Sequence, residues 1–501
     1  MSTHAFHLLR IALLCFFLVV FSWAILNLID PDLGWHLRAG EIVATMGHAP
    51  QYDPWTYTAP SHEWIDHEWL TDLFLWKFFI VNKWRLVQSF FLFCAFIPMA
   101  VWILRSRTEL QLFISTIAGT LLLPIVGVRP QFITFFLFFL LHEFLFAPFF
   151  QKKKKIFFLL MPIFFALWAN LHAGFVLGLM LWGLTLVPTW YEILRKKLIL
   201  SRDMIYESIS FFISILATLC TPYSIRLWHE IIVASINPLN NKITEWQPPF
   251  AYWSNTPSFS AFILPLFVGA TLGLILIFRK TFSPKQLLPA GIFFVFFMQH
   301  TRMAPFFFIL ALPLTDHAIT TLSEILTPLY EKLPFWKKRM GIFLPTIVLV
   351  GVLLSAATSS SIKSPYTPPF AAIGALSGIH DNNCRTFNNY AFGGWMIFTY
   401  PDKQVFVDGR GPHWEYPKGH STLQEYLTLM DHPETWKSIF EKYNICTAII
   451  PVEPKDTDLA SPSIYLGQTL KRDGWCQYYA DQDAMILRSP NTNFCKNQLG
   501  N

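Results

Sequence analysis

Residues 8–36 read LLRIALLCFFLVVFSWAILNLI followed by DPDLGWH. The first part is an apolar run of about the length that spans a bilayer, roughly 20 residues. Its one charge, Arg10, lies near its start, and no small-residue cleavage site stands ahead of Asp30. The run therefore reads as a first span kept in the protein, not as a removed leader. Directly after it comes Asp30-Pro31-Asp32-Leu33-Gly34-Trp35-His36, an acid-rich turn where the span ends. A span that opens onto such a turn sets the fold class: a mostly α, polytopic transmembrane helical bundle with its chemistry beyond the first span.

The rest of the chain agrees. It is 53% hydrophobic and only 14% charged, where soluble domains carry about 25% charge. Apolar windows recur near 86–104, 110–128, 131–149, 156–169, 174–191, 205–220, 258–278, 286–300, 304–321 and 340–357, for about eleven spans in all. Arg10, Arg105, Arg107, Lys152–Lys155, Arg195–Lys197, Arg202, Arg279, Lys280, Lys285, Lys332 and Lys337–Arg339 fall at the N-terminus or in every second loop. The alternate loops hold fewer basic residues: Arg38, Lys77, Lys83, Arg85, Arg129, Arg226, Lys242 and Arg302. Positive charge stays inside, so the N-terminus is expected in the cytoplasm and the tail outside. The net charge of +6 divides unevenly, because residues from Lys363 onward carry 12 Lys and Arg against 14 Asp and Glu. The excess is thus a topology signal, and nucleic-acid binding is excluded as a reading.

Two outer loops stand out. Segment 30–85 is long for a connection in a compact bundle and carries Trp35, Trp55, Trp64, Trp69, Trp76 and Trp84. Residues 36–46 and 63–82 read as interfacial amphipathic helices joined by an extended Pro50–Pro60 stretch. Loop 221–257 is rich in Pro and Trp. The domain expectation is a membrane domain over 1–357, a Ser/Thr/Pro linker over 358–369, and a soluble α/β domain over 370–501. In that last part, strands are expected at Arg385–Phe387, Gly394–Phe398, Val405–Val407, Thr447–Val452 and Ala484–Arg488, with helices near 420–430, 434–443 and 462–472. Cys384, Cys446, Cys476 and Cys495 share this tail and can form one or two disulfides, whose pairing spacing does not give. Cys15, Cys94 and Cys220 read as small buried hydrophobes.

Asp30 and Asp32 at a membrane surface need an answer to their charge. They either bind a divalent metal or serve as a general base, or Asp32 simply caps a helix. Asp53, Glu63, Asp66, His67 and Glu68 share the loop. Arg129 and Arg302, flanked by apolar helices, either bind an anionic phosphate bidentately or snorkel to head groups. Asn170 and His172, in a polar turn between spans, either donate to a sugar or phosphate or satisfy local backbone. Asp408-Gly409-Arg410 reads as a turn with an internal ion pair, or as a cover over the membrane site. No P-loop, dinucleotide fingerprint, GxSxG or HExxH occurs, and His142-Glu143 is the main ionisable pair within a span.

Taken together, Asp30–Leu37 with Gly40, Asp53-Pro54 with Tyr57, Glu68-Trp-Leu70, Arg129-Pro-Gln131, Trp168–His172, Glu245-Trp246, Asn389-Tyr390 with Gly393-Gly-Trp395, and Val407–Arg410 resemble the GT-C membrane glycosyltransferases. More narrowly, they resemble a bacterial group of such proteins with a periplasmic C-terminal domain. Gly34 departs from that group, which often has a second Trp there. The resemblance implies transfer of a sugar from a polyprenyl-phosphate donor to a glycan, lipid or protein acceptor, at the bacterial inner membrane. On this chain it gives the catalytic base to Asp32 first and Asp30 second, with Glu68 and His36 in support. Arg129, Arg302, Asn170 and His172 would hold the donor. A divalent metal, magnesium or manganese, would sit on Asp30 and Asp32 if one is used. The other functions open to such a fold are a non-catalytic assembly or scaffold protein, a lipid or polysaccharide transporter, and a ligase or polymerase of lipid-linked glycans.

Overall fold

The computed structural model describes residues 3–27, 29–122, 126–196, 199–243, 246–249, 259–331, 368–380, 384–411, 414, 421–452 and 462–499. The chain forms two compact units, one of residues 1–28, 87–224 and 241–365, the other of residues 29–86, 225–240 and 366–501.

The first unit is helical. The ten apolar windows that fall on described residues are all helices; the window 340–357, and nearly all of the linker 358–369, lie outside the described residues. Among the described residues, five helices are long and apolar enough to cross a membrane: Thr3–Asn27, Trp69–Arg105, Lys154–Leu171, Phe175–Lys196 and Thr301–Pro328. The apolar helices Glu109–Leu122, Gln131–Phe146 and Leu264–Ile277 are shorter. Lys154–Leu171 packs along Arg202–Ala217, and Phe175–Lys196 packs on Pro284–Gln299. Between Lys154–Leu171 and Phe175–Lys196, Gly178 leaves room for the Trp168 ring. Glu143 takes a two-pronged ion pair from Arg105, at 2.8 and 2.5 Å, so this buried acid is structurally answered. Of the three unpaired cysteines, only Cys94 is buried; Cys15, on helix Thr3–Asn27, and Cys220, just beyond helix Arg202–Ala217, are exposed.

The second unit carries a four-stranded sheet. Its strands are β1 (Arg385–Asn388), β2 (Ile445–Pro451), β3 (Cys476–Ala480) and β4 (Ala484–Arg488), in the order β1-β2-β4-β3. β1 runs parallel to β2, while β2–β4 and β4–β3 are antiparallel. Helices Thr422–Asp431, Trp436–Tyr443 and Pro462–Arg472 supply Leu429, Phe440 and Leu466 to the core beside Phe387 and Ile450. Tyr57, from the first loop, is buried in this same core, and its hydroxyl donates to Thr386 O at 2.9 Å. The loop and the tail thus share one hydrophobic interior.

Three expectations are corrected. Gly394–Phe398 is not a strand but part of a helix, Gly393–Thr399. A short apolar run fits a buried helix turn as well as a strand, and here it packs against helix Leu33–Met46. Val405–Val407 forms a single parallel bridge, Thr56 to Val405, instead of a strand. The second loop helix starts at Trp69 and not at 63. Residues 51–53 and 62–64 pair across the chain, with Asp53 N on His62 O at 2.8 Å and Trp64 N on Gln51 O at 3.0 Å, which holds Glu63 out of the helix. That helix runs to Arg105 with a break at Asn82 and Lys83, between the loop helix and the span. β3 and the pairings Cys384–Cys446 and Cys476–Cys495 are additions to the sequence reading.

Candidate functional site

The second unit gathers the acids of the first loop. Helix Leu33–Met46 begins right after the Asp30–Asp32 turn, where the Asp32 amide donates to Asp30 Oδ1 at 2.8 Å. Asp32 holds the N-cap position, yet its side chain makes no cap hydrogen bond. Its half-buried carboxylate instead fills the space where a Cβ on Gly409 would lie. That contact is open only because residue 409 has no side chain. Burial, followed by the charge of Asp30 and with Asp408 adding to it against His36, pushes the Asp32 carboxyl up to about 7.

The same helix start uses two more glycines. Gly34 faces the Gly394 backbone, and Gly394 faces the Pro31 carbonyl. A Trp at position 34, as the related group often has, would find no room. Arg38 reaches the carbonyl of Phe398 at 2.8 Å and pairs with Glu41.

Beside Asp32, Arg410 is almost completely buried. Its guanidinium donates twice to Asp408, each at 2.8 Å, once to Asp53 at 2.7 Å and once to Thr56 Oγ1 at 3.0 Å. Trp55 and Trp64 lie against it at 4.7 and 4.8 Å, and Trp414 at 5.4 Å. Asp53 also accepts the Trp55 and Thr56 amides at 3.0 Å. Burial acts to lower the Arg410 pKa, but the two carboxylates outweigh it and raise it. The turn reading of Asp408–Arg410 is correct, and the turn is built into the loop by Asp53, Thr56 and the tryptophans.

A second cluster lies at the junction of the two loop helices. His36 Nδ1 is 2.7 Å from Asp72 Oδ1, and its Nε2 is 3.4 Å from Glu68 Oε2. Trp35 lies over the His36 ring at 3.6 Å. His67 Nε2 lies 3.3 Å from Glu68 Oε1. Burial would lower the His67 pKa, but Glu68 and Asp66, with Glu230, raise it to about 9. Burial, reinforced by Asp72, raises Asp66. Ligand atoms of His36, Glu68 and Asp72 lie within 4.8 Å of one another, so these three form a group able to hold a metal ion. Asp72 was not among the residues singled out from the sequence. Its spacing was the available signal: it is four residues after Glu68, whose carbonyl its amide bonds at 2.9 Å, so both sit on one helical face.

The remaining residues expected at the site belong to the first unit. Arg302 stacks over the Trp246 ring at 4.5 Å, and His300 Nδ1 is 2.7 Å from Trp246 O. Arg129 lies in the turn that opens helix Gln131–Phe146, with its carbonyl bonded by the Phe132 amide at 3.1 Å. Asn170 donates to Ala166 O and Cys220 O at 2.7 and 2.9 Å. His172 Nδ1 accepts from the Gly174 amide at 2.9 Å and lies 2.9 Å from Thr134 Oγ1, which takes the Trp168 indole proton at 3.0 Å. These bonds assign the ring proton of neutral His172 to Nε2.

No protein-family model matches the chain, and no curated protein matches it in sequence. Solved structures do. The archaeal oligosaccharyltransferase AglB from Archaeoglobus fulgidus, in complex with an inhibitory peptide and a dolichol-phosphate, is 12% identical with a TM-score of 0.60, covering 97% of this chain and 74% of that one. The same Archaeoglobus fulgidus oligosaccharyltransferase with Zn and sulfate is 13% identical with a TM-score of 0.54, covering 95% and 73%. ArnT from Cupriavidus metallidurans bound to undecaprenyl phosphate is 13% identical with a TM-score of 0.44, covering 97% and 98%. The chain has the GT-C fold that its short motifs resemble, and it is a membrane protein.

Proposed function

We propose that this chain is a membrane glycosyltransferase that moves a sugar from a polyprenyl-phosphate donor to an envelope glycan, lipid or protein acceptor. In this reading it works on the outer face of a bacterial inner membrane, with the N-terminus in the cytoplasm and the tail domain in the periplasm. The two tail disulfides suit that oxidising side.

The observation that carries the reading is Asp32. Its carboxyl is spared from capping, packed against Gly409 and poised near neutrality. A base in that range accepts a proton from an acceptor hydroxyl or amine at working pH. The acceptor oxygen or nitrogen then bonds to the anomeric carbon as the bond from that carbon to the donor phosphate breaks, and the phosphate leaves as an anion. Asp30 holds the Asp32 backbone through the 2.8 Å amide bond. On the resemblance alone, Arg129 and Arg302 are expected to meet the phosphate, whose developing charge cations stabilise, and His172 the sugar. The fold likeness supports the reaction class, since the archaeal relative is an oligosaccharyltransferase found with dolichol-phosphate.

The test uses the full-length protein in detergent with short-chain polyprenyl-phosphate hexoses and an envelope lipid extract, read by mass spectrometry. Release of polyprenyl phosphate with a newly glycosylated product is expected. Asp32→Ala should lower it by about a hundredfold or more while the protein still folds and inserts. Equal turnover by Asp32→Ala, or an unchanged envelope sugar profile in cells lacking the chain, would reject the transferase reading.

A further inference from the structure

We propose that His36 Nε2 and Glu68 bind a first-row divalent metal ion, zinc or manganese, with Asp72 fixing the imidazole, at a site separate from the Asp30–Asp32 pair.

The geometry begins with the ring. Asp72 Oδ1, 2.7 Å from Nδ1, takes the proton there, which leaves the Nε2 lone pair toward Glu68. A carboxylate bonded to one imidazole nitrogen is the usual way a metal-binding histidine is oriented. Nε2 and Glu68 Oε2 stand 3.4 Å apart. A hydrogen bond would draw such a pair to about 2.7–3.2 Å. Two donors each about 2.0–2.1 Å from a tetrahedral ion lie roughly 3.3–3.4 Å from each other. The spacing is that of two ligands sharing one ion.

Charge gives a second, independent argument. Asp66, Glu68 and Asp72 are buried together, and His36 and His67 lie beside them. Asp66 Oδ2 and Asp72 Oδ2 have no hydrogen-bond donor among the described residues. Buried carboxylates are normally paired or metal-bound. The frame around the cluster is tight: Gly40 lets helix Leu33–Met46 meet the Asp72 backbone, and Trp35 covers the imidazole. Mixed nitrogen and carboxylate donors select zinc or manganese over calcium and magnesium, which prefer oxygen alone. With two protein donors, the ion keeps open positions.

The experiment strips the full-length protein in detergent with EDTA, dialyses it against zinc chloride or manganese chloride, and measures bound metal by mass spectrometry. Wild type should retain one ion per chain. His36→Gln and Glu68→Gln should fall to background, Asp72→Asn should bind 10–100-fold more weakly, and Asp32→Asn should bind as wild type. The manganese form should show nitrogen hyperfine coupling from a single imidazole, a readout that needs no variant to fold. Absence of metal from wild type, absence of that coupling, or metal lost through Asp32→Asn and kept by His36→Gln would overturn the assignment. Sugar transfer is read separately, so metal bound without transfer would reject the function and leave this site standing.

Discussion

Asp32 fills the place of the missing Gly409 side chain, and its titration follows from that. If it is the base, it must be ionised, so turnover should climb as pH rises through about 7 and level off above. Stability should run the other way. A carboxyl held above its unfolded value of 3.8 binds protons more tightly when folded, so stability falls as pH rises from about 4 to about 7 and is flat beyond. Asp32→Asn should therefore raise the melting temperature at pH 8, by the equivalent of ~1–3 kcal/mol, and change little at pH 4. A melting series across that range checks it, and no pH-dependent gain would mean that Asp32 is not held in this environment. Arg410 gives a prediction of opposite kind. Arg410→Met leaves Asp53 and Asp408 buried without their cation, which should destabilise the second unit by ~3–5 kcal/mol; thermal unfolding measures it. At this scale the sequence was informative where acids sit beside motifs. Asp30, Asp32, His36 and Glu68 share one unit, and the Asp408–Arg410 pair was visible as a local turn. Asp72 was passed over although its four-residue spacing from Glu68 could be read, and the role of Asp53 was hidden because a partner 357 residues away in the chain decides it.

Local pattern and tertiary packing part company at the helix Gly393–Thr399. Its apolar run carries no period long enough to separate strand from helix; what makes it a helix here is the close approach to Leu33–Met46 through Gly34 and Gly394. That contact is testable, since a methyl group on Gly34 meets the Gly394 carbonyl. Gly34→Ala should cost ~1–3 kcal/mol by overpacking, seen as a lowered melting temperature, whereas Gly47→Ala, in open space at φ 75°, should show only the smaller left-handed backbone penalty. Disulfide pairing was beyond the sequence for a related reason. Cys384 and Cys446 come within bridging distance, Cα–Cα 5.6 Å, only because Arg385 and Ile445 are partners in β1 and β2. In the loop-entropy picture that bridge, with a sequence separation of 62, contributes about 4 kcal/mol, and Cys476–Cys495, with a separation of 19, about 3 kcal/mol. Cys384→Ser should accordingly lower the melting temperature more than Cys476→Ser, and reversal of that order would reject the model for this domain.

For the molecule as a whole, the helical class was written in the alternation of apolar windows, because lipid leaves a backbone few ways to satisfy itself. The way the second unit assembles was hidden. Segments 29–86, 225–240 and 366–501 fold into one unit, as when Arg226 pairs with Glu63 and bonds Gln51 at 2.6 Å. Hydropathy sees three separate connections there, since it carries no information about which of them share a core. That assembly bears on the expected topology: segments that fold together must lie on one side of the membrane, and the charge reading expects 29–86 and 225–240 outside and, from its odd number of spans, 366–501 as well. The prediction follows for single cysteines introduced at exposed positions in a background with Cys15 and Cys220 replaced. Ser61→Cys and Glu434→Cys should react with a membrane-impermeant maleimide in spheroplasts, while Lys152→Cys should react only after the membrane is opened. Labelling of Ser61→Cys on one side and Glu434→Cys on the other is incompatible with their shared unit, whereas both being protected while Lys152→Cys reacts would invert the orientation and move Asp32 to the cytoplasmic face.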